Sequence, residues 1–310
     1  MPKAILSVCM NPTFQKTLIL NSYVPDTVNR VAQHRFDASG KGVNVCRVLT
    51  QLGKNCIHLC QLGGQLRPLF LELCAQDGLK IEWVESHSPI RFAYTVINKN
   101  EGSVTELVEE GEQVESKTEE RLLKAYEKLL PDISTVIISG SMAAGFSNSL
   151  ISEMVRRAKA LSHRVILDIR GKDLLESLPW KPDIIKPNLY EFASTFAPDI
   201  VKGNEVIPDI SFEPEIKKRI TGICKDIFEK YECQIVLSRG TKAIWYAEKG
   251  EVLEYEVDPI KPVNTIGSGD AFSAGLAAAL EDGGSLKEAI AEGVRCGKLN
   301  AGQLRPGVIR

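Results

Sequence analysis

The chain of 310 residues has no excess of charge of either sign, with 38 lysines and arginines against 40 aspartates and glutamates. That balance removes any global pull toward nucleic acid or an anionic membrane, while leaving room for a local basic pocket that takes a small anion. No stretch approaches the roughly 18 apolar residues that a membrane span needs. The start, MPKAILSVCMNP, carries a short apolar run without a cleavage site, so no signal peptide is expected. Eight cysteines (9, 46, 56, 60, 74, 224, 233 and 296) are scattered, and the tightest pair, Cys56 and Cys60, lacks the two-residue gap of a redox or zinc knuckle. They read as buried thiols in a reducing, cytoplasmic setting. The four histidines (34, 58, 87 and 163) show no metal-ligand spacing. No G-x-S-x-G elbow is present, which disfavours an α/β hydrolase. No G-x-G-x-x-G follows the first apolar run, which disfavours a dinucleotide-dependent dehydrogenase. Repeats, low-complexity tracts and an interdomain linker are also missing, so 1–310 is expected to form one domain.

What is present is alternation. Apolar runs of strand length, Ala4–Cys9, Ile57–Leu62, Thr135–Ser139, Val165–Asp168, Asp183–Lys186 and Ile235–Ser238, are separated by amphipathic segments of helix length. The helices are expected over Lys41–Leu52, Pro68–Gln76, Glu119–Leu130, Ser149–Ala160, Leu189–Phe196 and Glu215–Tyr231. Such alternation predicts an α/β fold with a mainly parallel sheet covered on both faces. Two regions break it. Phe14–Phe36 is rich in β-branched residues, and Phe92–Val108 reads as a hairpin around Lys99-Asn100-Glu101-Gly102. Both are expected to be antiparallel strands outside the main layer, a small β lid. Pro198–Pro214, with three prolines, reads as a surface loop.

Five segments carry chemistry. Val263 to Gly275, VNTIGSGDAFSAG, sets two glycines around a serine just before an aspartate and a run of small residues. Glycines let backbone N–H groups turn toward a ligand, and the helix start that follows favours negative charge. A carboxylate there, Asp270, lies beside any phosphate so held, and phosphoryl transfer needs a base and donors for developing charge. Turn chemistry and helix capping account for the same tetrapeptide without catalysis. Ser39-Gly40-Lys41-Gly42-Val43-Asn44 also opens a helix but does not meet the P-loop pattern, because Gly42 follows the lysine. Lys186-Pro187-Asn188 with Glu191 sets an amide and a carboxylate three apart, either a helix N-cap or a pair aimed at phosphate and magnesium-bound water. Ser139-Gly140-Ser141 and Ser238-Arg239-Gly240 end apolar strands, where ligands of parallel sheets collect.

In this order, together with Met10-Asn11-Pro12, Thr105-Glu106-Leu107 and Arg305-Pro306-Gly307, these segments resemble the PfkB (ribokinase-like) family of carbohydrate kinases, nearest its 1-phosphofructokinase and tagatose-6-phosphate kinase branch. The resemblance runs end to end. It implies a ribokinase-like three-layer sandwich with lid strands from about 14–36 and 90–108, and ATP-dependent phosphorylation of a ketohexose phosphate with Mg2+. Asp270 would be the base, with the amides of Gly267, Ser268 and Gly269 as the anion hole. Lys186, Asn188 and Glu191 would meet the ATP phosphates and, through water, the magnesium. Ser238, Gly240, Asn264 and Asn300 would line the nucleotide. Gly40, Lys41 and Asn44 would contact the sugar, and Arg91, Ser141 and Arg30 its existing phosphate. The lid would mediate a homodimer.

The chain departs from the family pattern mainly around the acceptor. Gln15 stands where the family has an aspartate that bonds sugar hydroxyls, and an amide supplies no charge. Ser39 replaces a glycine, Met142-Ala143-Ala144-Gly145 stands for L-P-P-G, and Ile169-Arg170-Gly171 replaces a small polar run. Two other readings follow. Gln15 would suit a binding protein without turnover, against which the intact Gly267–Asp270 segment argues. A kinase for an unphosphorylated sugar or nucleoside would have no need of Arg91.

Overall fold

The computed structural model describes residues 3–203, 205–206 and 213–310. The first half runs β1 (Ala4–Cys9), β2 (Thr13–Leu20), β3 (Gln33–Ser39), α1 (Lys41–Gln51), β4 (Cys56–Leu62), α2 (Arg67–Gln76), β5 (Lys80–Glu85), β6 (Arg91–Asn98), β7 (Ser103–Val108) and α3 (Thr118–Leu129). It continues through β8 (Ile133–Ser139), α4 (Leu150–Ala160), β9 (Arg164–Asp168), α5 (Gly171–Ser177), β10 (Ile184–Ile185) and α6 (Leu189–Phe196). The remainder is β11 (Val201–Lys202), β12 (Glu205–Val206), α7 (Glu213–Tyr231), β13 (Gln234–Arg239), β14 (Lys242–Glu248), β15 (Glu251–Tyr255), α8 (Ser268–Glu281) and α9 (Leu286–Ala301).

The large sheet has the order β15-β14-β13-β10-β9-β8-β1-β4-β5. From β13 to β5 every neighbour is parallel, and only β14 and β15 are antiparallel. Its central strands are continuous apolar runs because helices cover both faces, as parallel sheets require. One core lies under α1, α2, α8 and α9, with Val45, Val48, Leu276 and Ile290. The other lies under α3, α4 and α7, with Leu122, Met154 and Ile220. The ribokinase-like α/β architecture is therefore present, with a small separate sheet.

That small sheet, β3-β2-β6-β7, forms where the alternation breaks, but it is not purely antiparallel: β2 and β6 run parallel, from Thr13 beside Arg91 to Leu20 beside Asn98. The chain reaches β6 by way of the large sheet, so the two central lid strands come from separate excursions and can point the same way. Side chains alternate along β2. Phe14 turns to the body, stacked on Phe36 at 5.0 Å and Phe92 at 5.5 Å and edge-on to Phe70 of α2 at 5.5 Å. Its neighbours Thr13 and Gln15 turn to the other side, where the cleft lies. Aromatic packing thus anchors the lid, and the two-residue period aims its polar residues at the ligand. The stretch expected as a loop holds a short turn at Pro198–Ile200 and the β11–β12 pair, while 207–212 lie outside the described residues.

Candidate active site

The carboxyl ends of β9, β10 and β13 and the first turns of α1 and α8 border one cleft in two connected halves. One half, of about 350 Å3, is lined by charged and polar side chains from the lid, α1, β9, β10, α6 and α8. The other, of about 310 Å3, is mostly apolar and lies between β13, the 257–265 segment, α8 and α9. Ser238, Thr265 and Gly269 line both, so a molecule filling the apolar half can reach into the charged one.

Asp270 sits in the first turn of α8 on the charged side, only 6% exposed. Its Oδ2 accepts a 2.8 Å bond from the Asn44 amide of α1. Burial pushes its carboxyl up to about 6, against the opposing pull of Lys41 and the Asn44 amide. A carboxylate so placed is a usable base near neutral pH. The turn before it depends on Gly267, whose φ of 80° lies in the left-handed region and whose absent side chain would collide with Pro306 at 2.9 Å. The Ser268 amide is bonded to the Thr265 carbonyl at 3.2 Å, whereas those of Gly267 and Gly269 have no partner among the described residues. Among the described residues the amides left without a backbone partner at this helix start are those of Gly267, Gly269 and Asp270, to either side of Ser268.

Beside Asp270 lies a charge cluster that sequence reasoning missed. Asp168, 2% exposed at the end of β9, is bracketed by Lys41 and Lys186, each 3.3 Å away, and accepts from Ser273 at 3.1 Å. Burial pushes Asp168 up, yet Lys186 and Lys41 outweigh it and hold the carboxyl below its usual range. Lys41 in turn is held above its ordinary value, chiefly by Asp168. The signal was an acid closing the apolar run Val165-Ile166-Leu167, where an unpaired charge would be untenable. The two lysines are thus tied to Asp168 within the charged half.

Asn188 and Glu191 form the helix cap that their spacing allows, and both line the charged half. Asn188 Oδ1 accepts from the Glu191 N–H at 2.8 Å, and Glu191 Oε2 accepts from the Asn188 N–H at 2.9 Å, a reciprocal helix cap. Glu191 Oε1 is left on the cleft, 3.8 Å from Lys41 Nζ. Among the described residues no group of three or more His, Cys, Asp or Glu side chains could hold a metal by itself. Magnesium in phosphoryl transfer ordinarily takes one or two carboxylates plus substrate phosphates, so one spare carboxylate oxygen fits it.

On the lid side, Gln15 is buried and donates to the Thr95 hydroxyl at 2.6 Å. Arg91 lines the charged half and bonds only backbone carbonyls, Glu109 at 3.0 Å and Asn11 at 3.4 Å. It has no carboxylate partner among the described residues, and its buried Nε has no acceptor. Glu106, which the sequence offered only as part of a pattern, also lines this half.

Gly40, Lys41, Asn44, Lys186, Asn188 and Glu191 all border the charged half, and Ser238 and Gly240 the apolar one. Four expected contacts lie elsewhere. Arg30 is exposed on the loop between β2 and β3, away from both linings. Ser141 is one step removed, accepting at 3.3 Å from Asn11. Asn264 and Asn300 are fully packed behind the glycine turn: Asn264 accepts from the Ile266 N–H and donates to Leu304, and Asn300 donates to Ile266 and Ser268. Their amides are spent on holding the turn, and neither side chain lines either half of the cleft. The apolar lining residues Ile244, Val257, Phe272, Val294 and Ala301 were not foreseen, because nothing in their local sequence separates a pocket wall from a core.

A family profile described as pfkB family carbohydrate kinase matches residues 9–307. Tagatose-6-phosphate kinase of Staphylococcus epidermidis is 29% identical over 307 residues, covering 98% of this chain and 94% of that protein. A possible 1-phosphofructokinase of Thermotoga maritima superposes with a TM-score of 0.84 at 20% identity, covering 97% and 93% of the two chains. The tetrameric inhibited form of phosphofructokinase-2 from Escherichia coli does so with a TM-score of 0.82 at 20% identity, over 96% and 94%.

Proposed function

The chain belongs to the pfkB family of carbohydrate kinases, and on that premise we propose that it transfers the γ-phosphoryl group of ATP to a hydroxyl of a ketohexose phosphate, of the tagatose 6-phosphate or fructose 1-phosphate type. The observation that carries the acceptor class is Arg91: a guanidinium on the charged half that, among the described residues, makes no ion pair with a carboxylate and has only the more distant Glu106 to offset it. A free sugar offers such a cation only neutral hydroxyls, whereas a phosphate offers charge-assisted hydrogen bonds. The base is Asp270. The acceptor hydroxyl approaches its free oxygen, gives up its proton there, and attacks the γ-phosphorus as the bond to the bridging oxygen breaks and ADP leaves.

The adenine moiety occupies the apolar half, against Ile244, Val257 and Ala301. The triphosphate then passes Ser238 and Gly269 toward Lys41 and Lys186, and the amides of Gly267 and Gly269 meet the charge that develops on the transferred group. Mg2+, when bound, neutralises the phosphate oxygens, with Glu191 and Asn188 on its side of the cleft. The acceptor's hydroxyls face Gln15, Asn44 and Glu106. One kinase domain over 1–310 is supported by the seating of Phe14 of the lid and Ile309 of the C-terminus in the same core. A homodimer through the lid is supported by the exposed Tyr23, Val24, Val28, Leu107 and Val108. A cytoplasmic setting is supported by eight buried cysteines, all free; no helix among the described residues is long and apolar enough to cross a membrane.

Replacing Asp270 with alanine tests the mechanism. Turnover falls by roughly 10²–10⁴-fold, the usual contribution of a general base, while ATP binding stays within about twofold. Full activity in that variant refutes the assignment.

A further inference from the structure

We propose that Arg47 is a positioning residue for phosphoryl transfer, fixing the side-chain amide of Asn44 and, through it, the carboxylate of Asp270. The inference rests on the reading of Asp270 as base and adds a residue that touches neither substrate.

Asn44 and Arg47 are three residues apart on α1, so they share a face of that helix. An asparagine amide presents a donor and an acceptor end, and which end meets Asp270 decides whether the contact is attractive. Here the choice is forced. Asn44 Oδ1 accepts from Arg47 Nη1 at 2.9 Å and from Ser39 Oγ at 3.1 Å, which leaves Nδ2 to donate to Asp270 Oδ2 at 2.8 Å. Turning the amide over would set its N–H groups against a guanidinium and its oxygen against a carboxylate.

Arg47 is itself held on every side. It is 3% exposed; Nε bonds Asp77 at 2.9 Å, Nη2 bonds the Ala38 carbonyl at 2.6 Å, and Nη1 also bonds the Pro306 carbonyl at 3.2 Å. Asp77 is shared with Arg305, at 2.7 and 2.5 Å. The C-terminal Arg305-Pro306-Gly307 segment therefore closes over Arg47, and Gly307 approaches so tightly that a methyl group there would stand 3.0 Å from the Asn44 Cα. The same Pro306 packs on the Gly267 turn. One latch thus packs on Arg47 and on the turn before the base, while the Asn44 oxygen itself is held by Arg47 and Ser39. The other groups that bear on Asp270 are Lys41 of α1, Asp168 of β9, Lys186 at the end of β10 and Cys9 of β1; none of them contacts Arg47. The Asn44 amide favours the charged form of Asp270, so a loosened amide lets the base titrate at higher pH.

The test is the pH dependence of kcat with ATP and tagatose 6-phosphate, or fructose 1-phosphate if that is turned over faster, alongside melting temperatures. Arg47→Lys keeps the charge but cannot span four partners. Its kcat falls by about tenfold, its acid limb moves to higher pH, and its KM for ATP stays within about twofold. Arg305→Met breaks the latch without touching Asn44; it lowers the melting temperature and leaves the limb in place. Adding Arg47→Lys to Asn44→Ala produces no shift beyond that of Asn44→Ala alone. Should Arg47→Lys not fold, Ser39→Ala reads the same amide from its other donor and moves the limb the same way. An unmoved limb at parental kcat in the folded Arg47 variant, or in Ser39→Ala if that is the one read, overturns the proposal, as do additive shifts in the double variant. Asp270→Asn separates the two ideas: if it abolishes the acid limb while the Arg47 variant leaves it unmoved, the base stands and the positioning role falls. If the limb survives Asp270→Asn, the base reading itself fails.

Discussion

The two halves of the cleft recognise their ligands by opposite physics. The apolar half offers aliphatic walls and few polar groups, so it selects by shape and by removal of apolar surface from water. The charged half gathers Lys41, Arg91 and Lys186 with Asp168, Asp270, Glu191 and Glu106. There, selection depends on where each charge is fixed and on what neutralises it. Asp168 is matched by two lysines, Arg91 makes no ion pair among the described residues and has only Glu106 at longer range, and Asp270 is kept from easy ionisation by burial. The difference teaches that substitutions in one half change fit, whereas those in the other change both stability and chemistry.

The largest expected break comes from Asp168→Ala, which strands the buried Lys186, 2% exposed, without its countercharge. Removing one partner of a buried pair destabilises by about 3–5 kcal/mol, to be read from denaturant midpoints. An unchanged midpoint would mean that Lys186 is solvated and the cluster is not a structural unit. Arg91→Ala sharpens the comparison from the acceptor side. Its KM for the phosphosugar rises roughly 10- to 100-fold, the worth of hydrogen bonds to a charged group, with the KM for ATP within about twofold. Equal changes in both constants would contradict a dedicated phosphate grip. Ala301→Phe is the counterpart in the apolar half. Overfilling that wall raises the KM for ATP by about tenfold and leaves the phosphosugar's alone. Equal inhibition of both substrates would show that the halves are not separate.

The smallest effect is thermodynamic. The folded Asp270 has its pKa raised to about 6, so folding favours its uncharged form, and that contribution to stability is lost as pH rises through about 6. Asp270→Asn therefore raises the melting temperature most at pH 8, roughly half as much at pH 5, and changes it little at pH 3, below the unfolded carboxyl's own range, a trade of stability for reactivity common at active sites. A gain confined to the acid side would reverse the sign and refute the account of its burial.

Much of this was legible in the sequence, and unevenly. The parallel sheet followed from apolar runs such as Ala4–Cys9, and the glycine turn before Asp270 from its own tetrapeptide, because both are local signals. The parallel pairing of β2 with β6 was not local, since it depends on where the chain goes between Leu20 and Arg91. Asn264 and Asn300 show the same limit at the site. Their positions near the turn were legible, but whether an amide faces the ligand or the backbone behind it is decided by Leu304, Ile266 and Ser268, which are distant in sequence or out of register. Asp168 escaped notice because its meaning depends on Lys41, 127 residues away.

The account is tested most directly by ATP consumption, with Mg2+, across a panel of free ketohexoses and their 1- and 6-phosphates. It predicts turnover of a ketohexose phosphate and none of the free sugars. Turnover of a free sugar alone would contradict the phosphate grip at Arg91, and ATP binding with no turnover of any acceptor would contradict the kinase reading and bring Gln15 to the fore.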